Sequence, residues 1–256
     1  LAVEQNYKAA TRDLARYYYS LETEEDNRKA LDYYLQYIEY NPKDTDTLLH
    51  IGLIYESGLG VPLNIDLARR YYERAAEQDE TGMAYNFLGG TYMNDEETES
   101  NERKAVHYFQ KAIELGNTNA MFRISYYLHN GKGGLQVDIP REIELLTEAS
   151  KRGNHQATYR LGLLFEDNES GMAQNLELSV KYFQLAADNG ILAAINKMGE
   201  LYLFGEVIPA NLTKAISCFT AASEQGYGKA SYWLGRLHTD GIGQLEKDTQ
   251  KAMNYY

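Results

Sequence analysis

Five histidines, one cysteine and one run of carboxylates are the groups in this chain whose types suit chemistry. The histidines are His50, His107, His129, His155 and His238. None has a second histidine four residues on, and His-Glu-x-x-His does not occur. No helix therefore presents the paired imidazoles of a zinc protease. Cys218 is the single cysteine, so an intrachain disulfide and a four-cysteine zinc site are both excluded. NDEETESNE (94–102) gathers Asp95, Glu96, Glu97, Glu99 and Glu102. It lacks the glycine and the ligand order of a calcium loop, so a solvated, mobile acidic loop is expected. NGKGGLQVD (130–138) puts glycines beside Lys132. The order Gly-x4-Gly-Lys-Ser/Thr is absent, and the stretch reads as an inter-helix loop, not a phosphate cradle. Neither Gly-x-Ser-x-Gly nor Ser-x-x-Lys is present, so no nucleophile motif is found. The expectation is no catalytic residue, no metal and no cofactor.

The chain has 256 residues, 44% of them hydrophobic, and a formal net charge of −12. Phosphate backbones are held by clustered Lys and Arg, so this balance argues against a nucleic-acid partner. No apolar run approaches the roughly 20 residues of a membrane span. Four prolines and no Ser-rich stretch leave no linker to divide the chain. It begins at Leu1 and stops at Tyr256 inside a helical pattern, so it reads as a piece of a longer or processed protein. Cytoplasmic and exported settings are not distinguished by these features. Asn168-Glu169-Ser170 and Asn211-Leu212-Thr213 match the glycosylation sequon, at a frequency near chance for so Asn-rich a chain. Tyrosine, at 23 residues, is the outlier.

Tyrosines could stack bases or sugars, and the pair in LARRYYERAAEQ (67–78) invites that reading. The pair is not unique. Ala15, Gly52, Gly89, Ser125, Gly162, Gly199 and Gly235 each follow an apolar residue, at steps of 37, 37, 36, 37, 37 and 36. Five residues before them stand Ala10, Thr47, Ala84, Ala120, Ala157, Ala194 and Ala230. A ring follows each as Tyr18, Tyr55, Tyr92, Tyr127, Phe165, Tyr202 and His238. Later come the doublets Tyr33-Tyr34, Tyr71-Tyr72, Tyr108-Phe109, Leu145-Leu146, Tyr182-Phe183, Cys218-Phe219 and Tyr255-Tyr256. Seven copies of one unit outrank any reading of a single copy. A doublet position that accepts Phe, Leu and Cys behaves as core, and His238 and Cys218 fall in the same packed registers.

Each unit must be two helices. Thr47, Ile51, Ile54 and Tyr55 follow helical spacing along one apolar face, and Ala68, Tyr71, Tyr72, Ala75 and Ala76 along a second. GLGVPLN (58–64) breaks the helix between them. Gly116, Gly153, Gly190 and Gly226 suit the left-handed residue past a helix end. Glycine inside a helix costs about 0.5–1 kcal/mol relative to alanine. Its recurrence implies that helix B crosses helix A there, with an aromatic side chain lying over it. One hairpin cannot bury both stripes, whereas a stack can. On helix B the charged residues between the rings should face water, with Arg69 and Glu73 paired one turn apart. The fold expected is all-α, a right-handed α-solenoid of about seven helix-turn-helix repeats of 36–37 residues. One domain spans 1–256, with repeats near 6–41, 46–80, 83–117, 119–154, 156–191, 193–227 and 229–256. In the fourth repeat Glu142 stands where others mostly have alanine, which suggests a local change in stacking.

Ile51, Gly52, Tyr55, Gly58, Gly60, Val61, Ala68, Tyr71, Tyr72, Ala75 and Ala76 carry a resemblance to the Sel-1-like repeat, a relative of the tetratricopeptide repeat with a longer period. The resemblance covers about Asn6 to Tyr256 and is loosest in repeats one and four. It implies a protein-binding adaptor, as in bacterial exported and host-interacting members or the endoplasmic-reticulum degradation adaptor. A cysteine-rich branch has been linked to β-lactam binding, but this chain lacks those cysteines. A cell-wall or β-lactam enzyme and self-association through a solenoid end are the alternatives.

The partner surface expected is the concave face of helix A, at positions −3, +1 and +4 from the small residue. A solvated helix face would be almost wholly polar, but this row keeps rings and aliphatics. Leu49, Leu53, Asn86, Phe122, Tyr126, His129, Tyr159, Leu163, Asn196 and Tyr232 are the candidate partner-binding residues. They would form a groove centred on repeats three to five for a protein or peptide. Asn86 and Asn196 could bond a peptide backbone with both donor and acceptor.

Overall fold

The computed structural model describes residues 2–167, 174–241 and 247–255, and every regular element among them is an α-helix. The chain falls into two compact units, Leu1–Asp138 and Ile139–Tyr256. The first holds α1 (Ala2–Tyr19), α2 (Glu24–Tyr40), α3 (Thr45–Ser57), α4 (Ile65–Ala76), α5 (Met83–Met93), α6 (Glu99–Glu114) and α7 (Thr118–Asn130). The second holds α8 (Ile139–Lys151), α9 (His155–Glu166), α10 (Leu176–Asp188), α11 (Leu192–Phe204), α12 (Leu212–Ser223), α13 (Gly228–Asp240) and α14 (Thr249–Tyr255). Odd-numbered helices are the A helices and even-numbered ones the B helices. Within the units α2, α4, α6, α10 and α12 each pack both on their own A helix and on the next one, as α4 does on α3 and α5.

The abundance of asparagine has a local cause. Asn64, Asn117, Asn154, Asn175 and Asn211 are N-caps whose side chains accept the backbone N–H three residues on. Each such bond satisfies a donor the helix leaves orphaned and contributes about 1 kcal/mol. The sequon residue Asn211 is thus a helix cap. Asn168 lies outside the described residues. At the other end of the A helices Gly58, Gly131 and Gly205 adopt left-handed backbone, with φ of 66°, 64° and 71°.

The two residues of the doublet perform different tasks. The second lies over the small residue of helix A. A Cβ placed on Gly89, Gly162 or Gly199 would fall 2.6 Å from the ring of Phe109, Phe183 or Phe219, and Gly52 lies equally hard beneath Tyr72. All four rings are fully buried. The first residue of the doublet stacks on the ring that follows the small residue. Tyr18–Tyr33, Tyr55–Tyr71, Tyr92–Tyr108, Phe165–Tyr182 and His238–Tyr255 lie 5.6, 6.0, 5.7, 5.7 and 5.9 Å apart, within 10° of parallel. His238 is therefore a packed ring, as expected. In the sixth repeat Cys218 occupies the stacking position. It is half-buried, burial raises its thiol pKa, and Lys214 lies 5.1 Å from the ring of Tyr202. Tyr127 sits one residue before the position of the other rings, which Leu128 holds, and packs on Phe109 at 6.2 Å instead.

One expectation about charges is corrected. Arg69 does not pair with Glu73 and does not face water. Its side chain is 14% exposed, 3.9 Å over the ring of Tyr92, and it bonds Thr91 and Asp95. The ring of Tyr92 and the carboxylate of Asp95 offer more than an exposed one-turn pair. Glu142 is fully buried in its unit, and Arg160 of α9 binds it through Nε at 3.1 Å and Nη2 at 3.0 Å. The carboxylate is held inside the molecule by its own cation.

Two outcomes follow for stability. Gly162→Ala should lower the urea midpoint by the equivalent of about 1–2 kcal/mol, because overpacking against Phe183 outweighs the gain in helix propensity. Adding Phe183→Leu should recover part of that loss, since the fourth repeat combines Ser125 with Leu146 at the same registers. Arg160→Met should cost about 2 kcal/mol. The figure is below the range for a fully buried pair because Arg160 keeps 28% of its side chain in water.

Candidate functional site

The second doublet residues and the small residues beneath them are buried, and the A-helix positions outside that pattern are the candidates for meeting a partner. In the first unit Leu49 is core, 6% exposed. Asn86 is buried, and its Oδ1 has no hydrogen-bond partner. Leu53, Phe122 and His129 are half-buried, and Tyr126 is 40% exposed. In the second unit Tyr159 and Leu163 are half-buried against the Phe183, Met198 and Leu201 cluster. The ring of Tyr159 lies 5.6 Å from Phe183, and burial pushes its hydroxyl up to about 12. Asn196 is buried and Tyr232 is 49% exposed. The row thus mixes anchors that are partly core with rings that stand in water.

In the first unit the exposed end of the row adjoins the acidic loop. A small cavity of about 140 Å³ is lined by Tyr92, Met93, Glu96, Glu97, Glu102, Tyr126 and Tyr127. Glu102 is already engaged: Lys132 Nζ lies 3.2 Å from it and the Gly133 N–H donates to it at 3.3 Å. The Gly-Lys-Gly segment that invited a phosphate reading thus grips a carboxylate of its own chain. Lys132 also lies over Tyr126 at 5.5 Å, and its pKa is raised by Tyr126 first and Glu102 second. The acidic loop itself is anchored rather than simply solvated. Asp95 accepts from Arg69 at 2.7 Å, which holds its carboxyl below the usual aspartate range, while Glu96 and Glu97 remain exposed.

In the second unit three consecutive A helices are joined by a polar seam. Glu166 of α9 lies 2.8 Å from Lys197 of α11, and Lys197 lies 3.9 Å from Glu200 one turn on. Glu200 Oε1 accepts from Asn196 Nδ2 at 2.9 Å and from the indole N–H of Trp233, on α13, at 3.0 Å. Asn196 therefore braces Glu200, and its own Oδ1 has no partner. Beside the seam is a cavity of about 380 Å³ lined by Glu166, Lys197, Glu200, Leu201, Phe204 and Val207, among others. Phe204 is 56% exposed and meets Trp233 edge-on at 5.6 Å. Tyr232 also lies 5.8 Å from Trp233, edge-on.

Phe204 and Trp233 were not among the candidates from sequence. The signal for Phe204 was in the register: five residues after the small residue stand Ser20, Ser57, Asn94, Asn130, Asp167, Phe204 and Asp240. Six repeats place a small polar residue where the sixth places a ring. Trp233 occupies a position held elsewhere by Asp13, His50, Phe87, Arg123, Arg160 and Lys197, so composition alone gives it no distinction. Among the described residues no group of three His, Cys, Asp or Glu side chains could hold a metal ion, and no helix is long and apolar enough to cross a membrane.

The Sel1 repeat model matches seven segments, 6–36, 46–80, 82–117, 118–154, 155–191, 192–227 and 228–256. A stretch of 75 residues is 41% identical to "Protein sel-1 homolog 2" of Rattus norvegicus, covering 29% of this chain and 11% of that protein. The chain therefore matches only about a tenth of that relative's length. The crystal structure of a Sel1 repeat protein from Oxalobacter formigenes superposes with a TM-score of 0.82 at 22% identity, covering 94% of this chain and 95% of the other. A protective antigen present in uropathogenic Escherichia coli strains, displaying an SLR fold, superposes at 0.68 with 20% identity, covering 100% of this chain and 54% of the other. These likenesses show the fold, an all-α repeat solenoid.

The anchoring of the acidic loop is testable by pH. Because the Asp95 pKa is depressed on folding, its contribution is complete above the usual value of about 4 and is lost as pH falls through the lower folded value. Resistance of residues 94–98 to an acid-active protease should fall in that window. Arg69→Ala should remove the same protection at neutral pH.

Proposed function

The chain belongs to the Sel1 repeat family, and on that premise we propose that it is a non-catalytic scaffold that binds a peptide or partner protein along the A-helix faces of its units. The carrying observation is the division of labour among the aromatic residues. The doublet rings and the small residues beneath them are consumed in packing, whereas the −3, +1 and +4 row keeps Tyr126 and Tyr232 substantially exposed and Leu53, Phe122 and Leu163 half-exposed. Exposed rings beside half-buried aliphatics are the composition of interface anchors, not of a solvated helix face. Asp95 and Glu102 of the acidic loop are engaged by Arg69 and Lys132, so the proposal rests on the apolar and aromatic side chains of this row.

A photo-cross-linking residue at Tyr126 or Tyr232 should capture a partner from the native extract, whereas the same residue at Gln110 or Glu177, on exposed B-helix faces, should not. Capture only from the B-helix sites would overturn this reading. Phe122→Ala should weaken the captured complex by more than about 1 kcal/mol with helicity unchanged. Incubation with a generic β-lactam should give no turnover.

A further inference from the structure

We propose that the A-helix face of the second unit is selective for a basic, apolar peptide segment, one with Lys or Arg flanking an aromatic or aliphatic side chain. This rests on the scaffold reading and names the chemistry of the partner at one place on it. The apolar side chain would enter the cavity of about 380 Å³ against Leu201, Phe204 and Val207. Its cation would meet the carboxylates around the mouth.

The charge count supports this partner. Glu166, Glu200 and Glu206 line the cavity with one ammonium, Lys197, among them. Lys197 lies close to Glu166 and at the edge of reach of Glu200. One cation against three carboxylates leaves the site with an excess negative charge of two. Arg236, one turn from Tyr232, is drawn to Asp240 at 3.2 Å. An acidic segment would meet this excess like to like, and a neutral one would leave it uncompensated. The carboxylates are not a loose cluster, because Glu200 is fixed from two sides by Asn196 and Trp233. They retain 30% and 26% exposure at Glu166 and Glu200, enough to receive a cation.

The apolar half of the site is supported independently. Phe204 replaces a small polar residue found in all six other repeats, stands 56% exposed, and is propped edge-on by Trp233. A phenyl ring held in water by an indole is a preformed contact surface. Preorganisation of this kind lowers the entropy cost of binding. The face of Phe204 and the carboxylates together suit an alkylammonium or guanidinium whose stem lies along the ring.

Trp233 is the single tryptophan of the chain and reports on the site directly. The full chain would be titrated with the peptides acetyl-GSKLFKSGS-amide, acetyl-GSELFESGS-amide and acetyl-GSKSSKSGS-amide, following tryptophan emission and, with labelled peptides, anisotropy. The Lys-Leu-Phe-Lys peptide should bind saturably, and about tenfold or more tightly than either other peptide. Phe204→Ala should weaken it about tenfold. Glu200→Gln should weaken it and flatten its salt dependence, read by anisotropy because the Trp233 bond changes. Equal binding of the Lys and Glu peptides, no binding of the Lys peptide, or no effect of Phe204→Ala would overturn the inference. Cross-links at Tyr126 and Tyr232 with no preference for the basic peptide would leave the scaffold reading standing. Cross-links confined to the B-helix sites would remove the scaffold reading, whatever the peptides do.

Discussion

Four of the hairpins depend on a close approach at one point, where the second side chain of a B-helix doublet lies over a glycine of helix A. At Gly162 the ring of Phe183 occupies the space a Cβ would need. Glycine weakens an isolated helix there by about 0.5–1 kcal/mol. Burying a whole aromatic side chain, roughly 150–250 Å² of surface, offsets that several times over. Once the crossing is set, the first doublet residue is brought alongside the ring one turn further on, and the near-parallel stacks follow. Alanines such as Ala68 and Ala75, both fully buried, keep the two helices close enough for this.

That geometry also decides where the remaining charges go. Within the units α2, α4, α6, α10 and α12 each meet two A helices, so a long side chain on a B helix can reach into the next repeat. Arg69 does so, spreading over Tyr92 and holding Asp95. Glu102 does so in the same sense and takes up Lys132 and the Gly133 N–H. Glu142 and Arg160 repeat the theme inside the second unit. Several features that resemble binding motifs in the linear chain are thus internal ties between neighbouring repeats. The carboxylates of the second unit differ because Glu166 and Glu200 line an open cavity with an exposed phenyl ring beside it.

The repeat period, the small residue and the doublet were legible because each is a local requirement repeated seven times, and the helix-ending glycines because they recur in four of the units. A chance match at one copy does not survive six others. The candidate surface was less legible for a complementary reason. Its residues are defined by departing from the pattern, and a departure looks the same whether it packs or projects. Leu49, Asn86 and Asn196 share their register with Tyr232, yet the first three are buried and the last is half in water. Phe204 stood out as a ring in a register of Ser, Asn and Asp, but only against an alignment of the repeats with one another.

The covalent chain alone sets a series of two-helix repeats and the packing of its recurring small residues and second doublet residues, since period, helical spacing and glycine placement are properties of the chain and of single helices. Tertiary structure decided which charged and aromatic residues are spent internally and which stay available. Those outcomes depend on distances between side chains some thirty residues apart, such as Arg69 to Asp95 and Glu200 to Trp233, set by how one hairpin seats on the next. Nothing in the spacing along the chain encodes that a tyrosine at −3 is wedged against Phe183 in one repeat and open to solvent in another.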